Sequence, residues 1–410
     1  MTNRSGLRAR RAVALATLTT LVVAGSGYFA FAGLAPVEPI PATTSVIASV
    51  TTPPASVSLP GEGGAAIAAR DTEQVFASRD LDTPRALASI TKVITALVVL
   101  ETYPIAEGAP GASITLTAAD SALPARYLAM NGSVAPAPAG TVVTQRQVIE
   151  LMMVRSANNY AETLAVWAFG STGAYLDAAR EWLAKNDLDG ITVGDSTGFS
   201  LANTGTPREL IELARIALDN EVIATAVAKP SVTVAGVGTF ETTNLALGLA
   251  GVNGIKTGTL DGIGANLLFS STITVADTTT DVVGVVLGLD DQESVAAAVT
   301  SLVTSATDDF FLVSLVEPGT VVATYTAPWG DTARLVTAET EPVLVWGPGA
   351  SRTAIEAPPL IVGNDRLPRA TLVVSIGAQR QSIPLQWEGT IDSPPLLWKL
   401  TQPIDELVAG

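Results

Sequence analysis

Ser89-Ile90-Thr91-Lys92 opens an apolar run that continues through Ile94, Leu97, Val98 and Leu100. The run is apolar on nearly every side, which predicts a central, buried helix beginning near Ser89. Lys92 lies one turn beyond Ser89, so its amine can reach the Ser89 hydroxyl. A lysine inside such a helix is costly unless it has a task. The chain contains no histidine and no cysteine. A His base for a serine nucleophile, a Cys–His couple and zinc sites built on either residue are therefore closed. No metal and no organic cofactor is expected. A lysine three residues after a serine is a known substitute for the histidine. Taken alone, the pair is better read as an N-cap serine and a surface lysine.

Outward from this helix, residues 64 to 79 alternate around Asp71-Thr72 as a β-hairpin does, and Pro84 ends the extended region. Residues 104 to 143, rich in Gly, Pro and Ala, read as loops with a short strand at Ile114–Leu116. Thr144-Gln145-Arg146-Gln147 is a capping-box pattern opening a helix through Val148, Leu151 and Met152. A second helix follows Ser156-Ala157-Asn158, and a third covers 207 to 217 with Pro207 in its first turn. Gly254–Gly258, Asn266–Val275 and Asp281–Leu289 read as consecutive antiparallel strands. Asp290 is placed to cap a closing helix running to about Leu315. Helices set around an antiparallel sheet give an α/β (α+β) domain over residues 60–315. Beyond Pro318 short β-rich runs alternate with Pro and Gly, and Trp329, Trp346, Trp387 and Trp398 lie there. Residues 319–410 therefore read as a small all-β domain with an aromatic core.

The N-terminus sets the compartment. Arg4, Arg8, Arg10 and Arg11 precede an uncharged run from Ala12 to Val37. Basic residues before the run and none after keep the N-terminus inside and export the body. The run exceeds the apolar core of a signal peptide and can span a bilayer. Residues 1–35 are read as a basic stub with a membrane anchor, Ala30-Phe31-Ala32 being the alternative cleavage site of a signal segment. Residues 36–59, with five prolines among Thr, Ser, Ala and Val, read as an extended tether. The net charge of −16 argues against nucleic acid and anionic lipid as partners. The absence of cysteine excludes disulfides, lipoprotein acylation and prenylation.

Only five lysines occur. Lys92 alone has a serine three residues before it, and Lys256 opens Lys256-Thr257-Gly258. Between them lies Ser156-Ala157-Asn158. Ser-x-x-Lys, Ser-x-Asn and Lys-Thr-Gly in this order form the three-part signature of penicillin-recognising serine enzymes. Ser156 and Asn158 read as bare helix caps, or Lys256-Thr257-Gly258 as a strand end, only if each piece is taken alone. Lys92 must be neutral to act as a base, and desolvation with Lys256 as a nearby cation would make it so. Ser156 is placed to relay a proton to a leaving amine, and Asn158 to hold Lys92 and a substrate amide. The strand carrying Lys256–Thr259 suits pairing with an extended peptide.

The chain resembles the D-alanyl-D-alanine carboxypeptidases of the low-molecular-mass penicillin-binding proteins. The resemblance rests on Ala88–Lys92, Arg155–Asn159, Asp195-Ser196-Thr197-Gly198-Phe199 and Gly254–Thr259, and covers 60 to 315. It implies a β-lactamase/transpeptidase-like domain with a helical subdomain. Ser89, Lys92 and Ser156 are its implied catalytic residues; Asn158, Lys256, Thr257, Gly258 and Thr259 are its implied substrate-binding residues. The backbone N–H groups of Ser89 and Thr259 would form an oxyanion hole, and Lys256, Thr257 and Thr259 would grip a terminal carboxylate. The implied substrate is a peptidoglycan stem peptide ending in D-Ala-D-Ala, with β-lactams as inhibitors, on the extracytoplasmic face of the membrane or in the wall. One departure stands out: family members often add an arginine after the Lys-Thr-Gly strand, and no Lys or Arg occurs between Lys256 and Arg334. One rival is a class A β-lactamase, whose separate glutamate has an asparagine four residues on. Glu162, Glu181, Glu209, Glu212, Glu221 and Glu241 have none. The other rival is a non-catalytic peptidoglycan-binding envelope protein, against which the three intact motifs argue.

Overall fold

Small and branched residues from 64 to 79 fold as the strands Gly64–Ala69 and Val75–Arg79, paired antiparallel. The computed structural model describes residues 4–363 and 367–402. The chain divides into two units. One comprises Pro53–Leu312 with Trp346–Pro348; the other comprises the segments up to Thr52, Val313–Val345 and from Gly349 onward.

In the first unit five strands form one antiparallel sheet in the order Val252–Leu260, Gly264–Val275, Thr278–Leu289, Gly64–Ala69, Val75–Arg79. Val282 to Leu287 are buried at successive positions, so both faces of the sheet are covered. The helices Gln292–Asp308 and Pro207–Asp219 pack on its strands. Val252–Leu260 is an edge strand, and it packs against the 3₁₀ turn Ala88–Ile90.

That turn leads into the central helix Thr91–Thr102, whose residues Thr91 to Leu100 are all buried. Gln145–Val154, Asn158–Phe169 and Thr172–Lys185 surround it. Fully burying an aliphatic side chain contributes about 1.5–3 kcal/mol. Ile94, Val98, Val99 and Leu100 thus hold the helix rigidly inside the unit. The expected capping box forms: Thr144 Oγ1 accepts from Gln147 N at 3.2 Å, and Gln147 Oε1 accepts from Thr144 N at 2.9 Å.

Three local expectations change. The region 104 to 143 contains a helix, Ala118–Leu128, opened by a Thr117/Asp120 capping box; Pro124 and the Gly/Pro-rich flanks concealed it. The closing helix is capped by Asp291 rather than Asp290, through a 2.8 Å bond from Ser294 N, and ends at Asp308 rather than near Leu315. The aromatic and branched run Phe310–Val313 continues as strand instead. Trp346 packs in the first unit, its ring 4.7 Å from that of Phe76.

The second unit carries a six-stranded antiparallel sheet in the order Ala42–Thr44, Val321–Thr326, Thr332–Thr337, Gln379–Gly389, Thr371–Ile376, Arg352–Glu356. Part of the stretch read as a tether is therefore structured. Ala42 pairs with Tyr325, and Ile40 is buried where it bridges Leu360. Two apolar residues among the prolines suffice, because Pro at a sheet edge costs no ladder bond. Tyr325 and Trp387 stack at 4.8 Å in this core. The N-terminal helix Arg4–Leu34 contains one stretch, Arg8–Leu34, that is long and apolar enough to cross a membrane, with mean hydropathy 1.6. Its end is tied to the short helix Leu396–Thr401: Tyr28 donates to Leu400 O at 3.0 Å and Lys399 to Gly33 O and Ala35 O at 3.1 Å.

Candidate active site

Ser89 occupies the middle of the 3₁₀ turn and Lys92 the second position of the central helix. Lys92 Nζ lies 2.8 Å from Ser89 Oγ and donates to Asn158 Oδ1 and Thr197 O, both at 2.6 Å. The last two partners only accept. A neutral amine has two N–H groups and one lone pair. Spending both N–H groups on Asn158 and Thr197 leaves the lone pair for the Ser89 hydroxyl. Burial, then the charge of Lys256, hold the Lys92 pKa well below its ordinary value; Asp195 opposes them weakly. Lys92 is completely buried.

The Ser89 amide donates to no acceptor among the described residues. Ala88, immediately before it, has φ of 48°. Such backbone persists only when its surroundings impose it. Here they do: Asn266, itself buried, donates from Nδ2 to Ala86 O (2.9 Å) and Leu87 O (3.2 Å) while Oδ1 accepts from Gly288 N (2.8 Å). On the other side Gly198 lies so close that a Cβ there would stand 1.8 Å from Ala88 O.

Gly198 belongs to the turn 195–200, which sequence reasoning matched but gave no task. Asp195 organises it, accepting from the N–H groups of Thr197 (2.7 Å), Gly198 (2.6 Å), Phe199 (3.3 Å) and Ser200 (2.6 Å). The turn thereby presents Thr197 O to Lys92. Thr95, one helical turn beyond Lys92, donates to Ser196 O at 2.8 Å and anchors the same turn on the central helix.

Ser156 sits between two helices with φ of 62°, and its hydroxyl accepts from Lys256 Nζ at 3.0 Å. Asn158 is the first residue of its helix, yet its side chain is spent on Lys92 rather than on a cap. Lys256 also donates to Thr257 O at 2.9 Å and lies 3.4 Å from Thr257 Oγ1. It is buried, and burial brings its pKa down from 10.5 to about 7. Thr243, which sequence reasoning missed, shares a 2.5 Å hydroxyl contact with Thr257. Gly258 lets the edge strand approach the turn: a Cβ there would be 2.8 Å from Leu87 O and 3.3 Å from Ser89 N.

A cleft of about 510 Å³ opens over these groups, lined by Ser89, Ser156, Asn158, Thr257 and Thr259 among others. Every sequence-selected residue either lines this cleft or bonds directly to one that does. Gln292, in the first turn of the closing helix, also lines it and was not anticipated. A polar residue at a helix start carries no sequence signal that it faces a cleft 36 positions from Lys256.

These side chains define a serine–lysine centre on an antiparallel sheet with a helical cluster behind it. A family model described as D-alanyl-D-alanine carboxypeptidase matches residues 60–291, and the chain belongs to that family. The D-alanyl-D-alanine endopeptidase of Pseudomonas aeruginosa is 28% identical over 216 residues, 51% of this chain and 64% of that protein. The chain thus spans less than two thirds of that relative's length. The Streptomyces K15 DD-transpeptidase structure is 25% identical, with a TM-score of 0.53, over 62% of this chain and 98% of its own. A peptidoglycan synthesis regulatory factor (PBP3) from Streptococcus pneumoniae is 22% identical, covers 82% of this chain and 100% of its own, and has a TM-score of 0.58; at that identity it attests the fold alone.

Proposed function

We propose that this protein is a serine D-alanyl-D-alanine peptidase of peptidoglycan. Ser89 Oγ attacks the carbonyl carbon of the penultimate D-Ala of a stem peptide, and its proton passes to Lys92 Nζ. The Ser89 N–H, with that of Thr259, stabilises the oxyanion; losing one such donor costs about 10²–10³ in rate. Ser156 hands a proton to the leaving nitrogen as the C–N bond breaks. Water then attacks the Ser89 ester, restoring the hydroxyl and releasing the shortened peptide. Asn158 and Thr257 position the substrate, whose extended backbone pairs with the edge strand at Gly258 and Thr259. Release of terminal D-Ala makes this a carboxypeptidase reaction, and β-lactams acylate Ser89 and leave slowly. The apolar Arg8–Leu34 helix fits N-terminal attachment with the catalytic unit on the extracytoplasmic side.

The observation that carries this reading is the Lys92 environment: two acceptor-only oxygens at 2.6 Å and Ser89 Oγ at 2.8 Å. It suits a neutral amine that withdraws a proton from serine, and it favours this reading over a binding protein with a decayed site. The test is labelling by a fluorescent penicillin together with D-Ala release from a diacetyl-L-Lys-D-Ala-D-Ala peptide. Both should occur in the wild type and vanish in Ser89→Ala. Labelling that persists unchanged in Ser89→Ala would refute the assignment, and no labelling of the wild type would favour the non-catalytic reading.

A further inference from the structure

Beyond Ser89 the cleft is built from Thr257, Thr259, Gln292 and Asp261, and Asp261 is the only charged residue among those lining it. Lys256, the nearest cation, does not line the cleft. Its three donor directions go to Ser156 Oγ, Thr257 O and Thr257 Oγ1. Asp261 is held toward the opposite wall by Asn131 Nδ2 at 3.1 Å. A carboxylate entering here meets hydroxyls and a like charge, without the charge-assisted partner that makes such bonds strong.

Gln292 has a fixed orientation. Its Nε2 faces Gly258 O at 2.9 Å and Thr259 Oγ1 at 2.8 Å. A backbone carbonyl only accepts, so the side-chain atom facing it must be the NH₂ group. Oε1 accordingly has no partner among the described residues and is left as an acceptor at the cleft wall. Thr259 Oγ1 accepts from Gln292 and keeps its own O–H to donate. One donor and one acceptor side by side match the two sides of a carboxamide: C=O to Thr259, N–H to Gln292.

We propose that Gln292, paired with Thr259, makes the leaving-group subsite selective for an uncharged carboxyl derivative, a leaving residue whose carboxyl is amidated or already in a peptide bond, over a free terminal carboxylate. This rests on Ser89 being the acylated residue. The enzyme's better substrates are then amidated or internal D-Ala-D-X bonds, and free D-Ala-D-Ala ends are cut more slowly. Gln292 is a specificity residue that touches the leaving group and takes no proton.

The test uses the full chain and two peptides, diacetyl-L-Lys-D-Ala-D-Ala with a free carboxyl and its C-terminal carboxamide, compared by kcat/KM. The wild type should favour the amide about tenfold. Gln292→Arg should reverse the ratio in favour of the acid, mainly through KM. Ser89→Ala is run alongside. Turnover that survives in Ser89→Ala removes the premise about the acylated serine. Ser89-dependent turnover that favours the free acid in the wild type leaves that premise intact and overturns the Gln292 inference. If Gln292→Arg does not fold, as judged by penicillin labelling, the wild-type ratio alone decides.

Discussion

Replacing Lys256 by methionine should stabilise the catalytic unit at low pH while abolishing its activity. Folding takes this buried amine from an ordinary pKa of 10.5 down to about 7. Between those values the unfolded chain holds the proton and the folded chain does not, so wild-type stability rises with pH across that window. Below pH 7 both states are protonated, and the gap corresponds to about 5 kcal/mol of destabilisation. Methionine removes that penalty but forfeits the bonds to Ser156 Oγ and Thr257 O, at about 1 kcal/mol each. Lys256→Met should therefore be more stable than wild type by roughly 2–3 kcal/mol at pH 6. By pH 9 the wild-type penalty has fallen to about 2 kcal/mol and the two proteins should be level. Hydrogen exchange of the central helix amides, Thr91–Thr102, corrected for intrinsic rates at each pH, measures the difference locally in the full chain. A stability difference that does not change between pH 6 and 9 would show that folding does not perturb Lys256, and would refute the burial argument.

Other outcomes follow from the same contacts. Asn158→Asp puts a carboxylate 2.6 Å from Lys92 Nζ, which favours the ammonium; the acid limb of the pH–rate profile should move up by about one unit or more, read from penicillin acylation rates. Gly198→Ala places a methyl 1.8 Å from Ala88 O at a φ of 88° and should cost about 4 kcal/mol or more, seen as loss of the folded catalytic unit in limited proteolysis. Asn266→Leu breaks three buried hydrogen bonds, should cost about 3 kcal/mol, and should slow acylation in the molecules that remain folded, because the segment before Ser89 loses its tie to the sheet. Asn266→Asp should be worse, since its charge faces two carbonyl oxygens.

Local patterns that act over a few residues were legible in advance. The apolar run after Ser89, the capping box at Thr144 and the alternation in the strands each depend on neighbours in sequence. Ser89, Lys92, Ser156 and Lys256 stood out because a chain without histidine leaves few ways to activate a serine. The helix Ala118–Leu128 escaped because its internal Pro124 and Gly/Pro-rich flanks look like loop, and Asp291 displaced Asp290 because both satisfy the same capping preference. The edge pairing of Ala42–Thr44 was hidden by prolines that a terminal strand tolerates.

By itself, then, the sequence determined the type of centre, a serine served by a lysine three residues on, and the elements that carry it. Tertiary structure alone decided the contacts that complete it: Thr197 O arrives from 105 positions away with no spacing to announce it, and the Asn158 side chain settles 2.6 Å from Lys92 Nζ instead of capping its own helix. The same holds at the substrate end. The lack of a basic residue between Lys256 and Arg334 could be read directly, but what lines the cleft instead, Gln292 with its amide nitrogen on Gly258 O and Thr259 Oγ1, depends on how the closing helix meets the edge strand. Hydrogen-bond direction is set by three-dimensional neighbours, and no spacing along the chain encodes it.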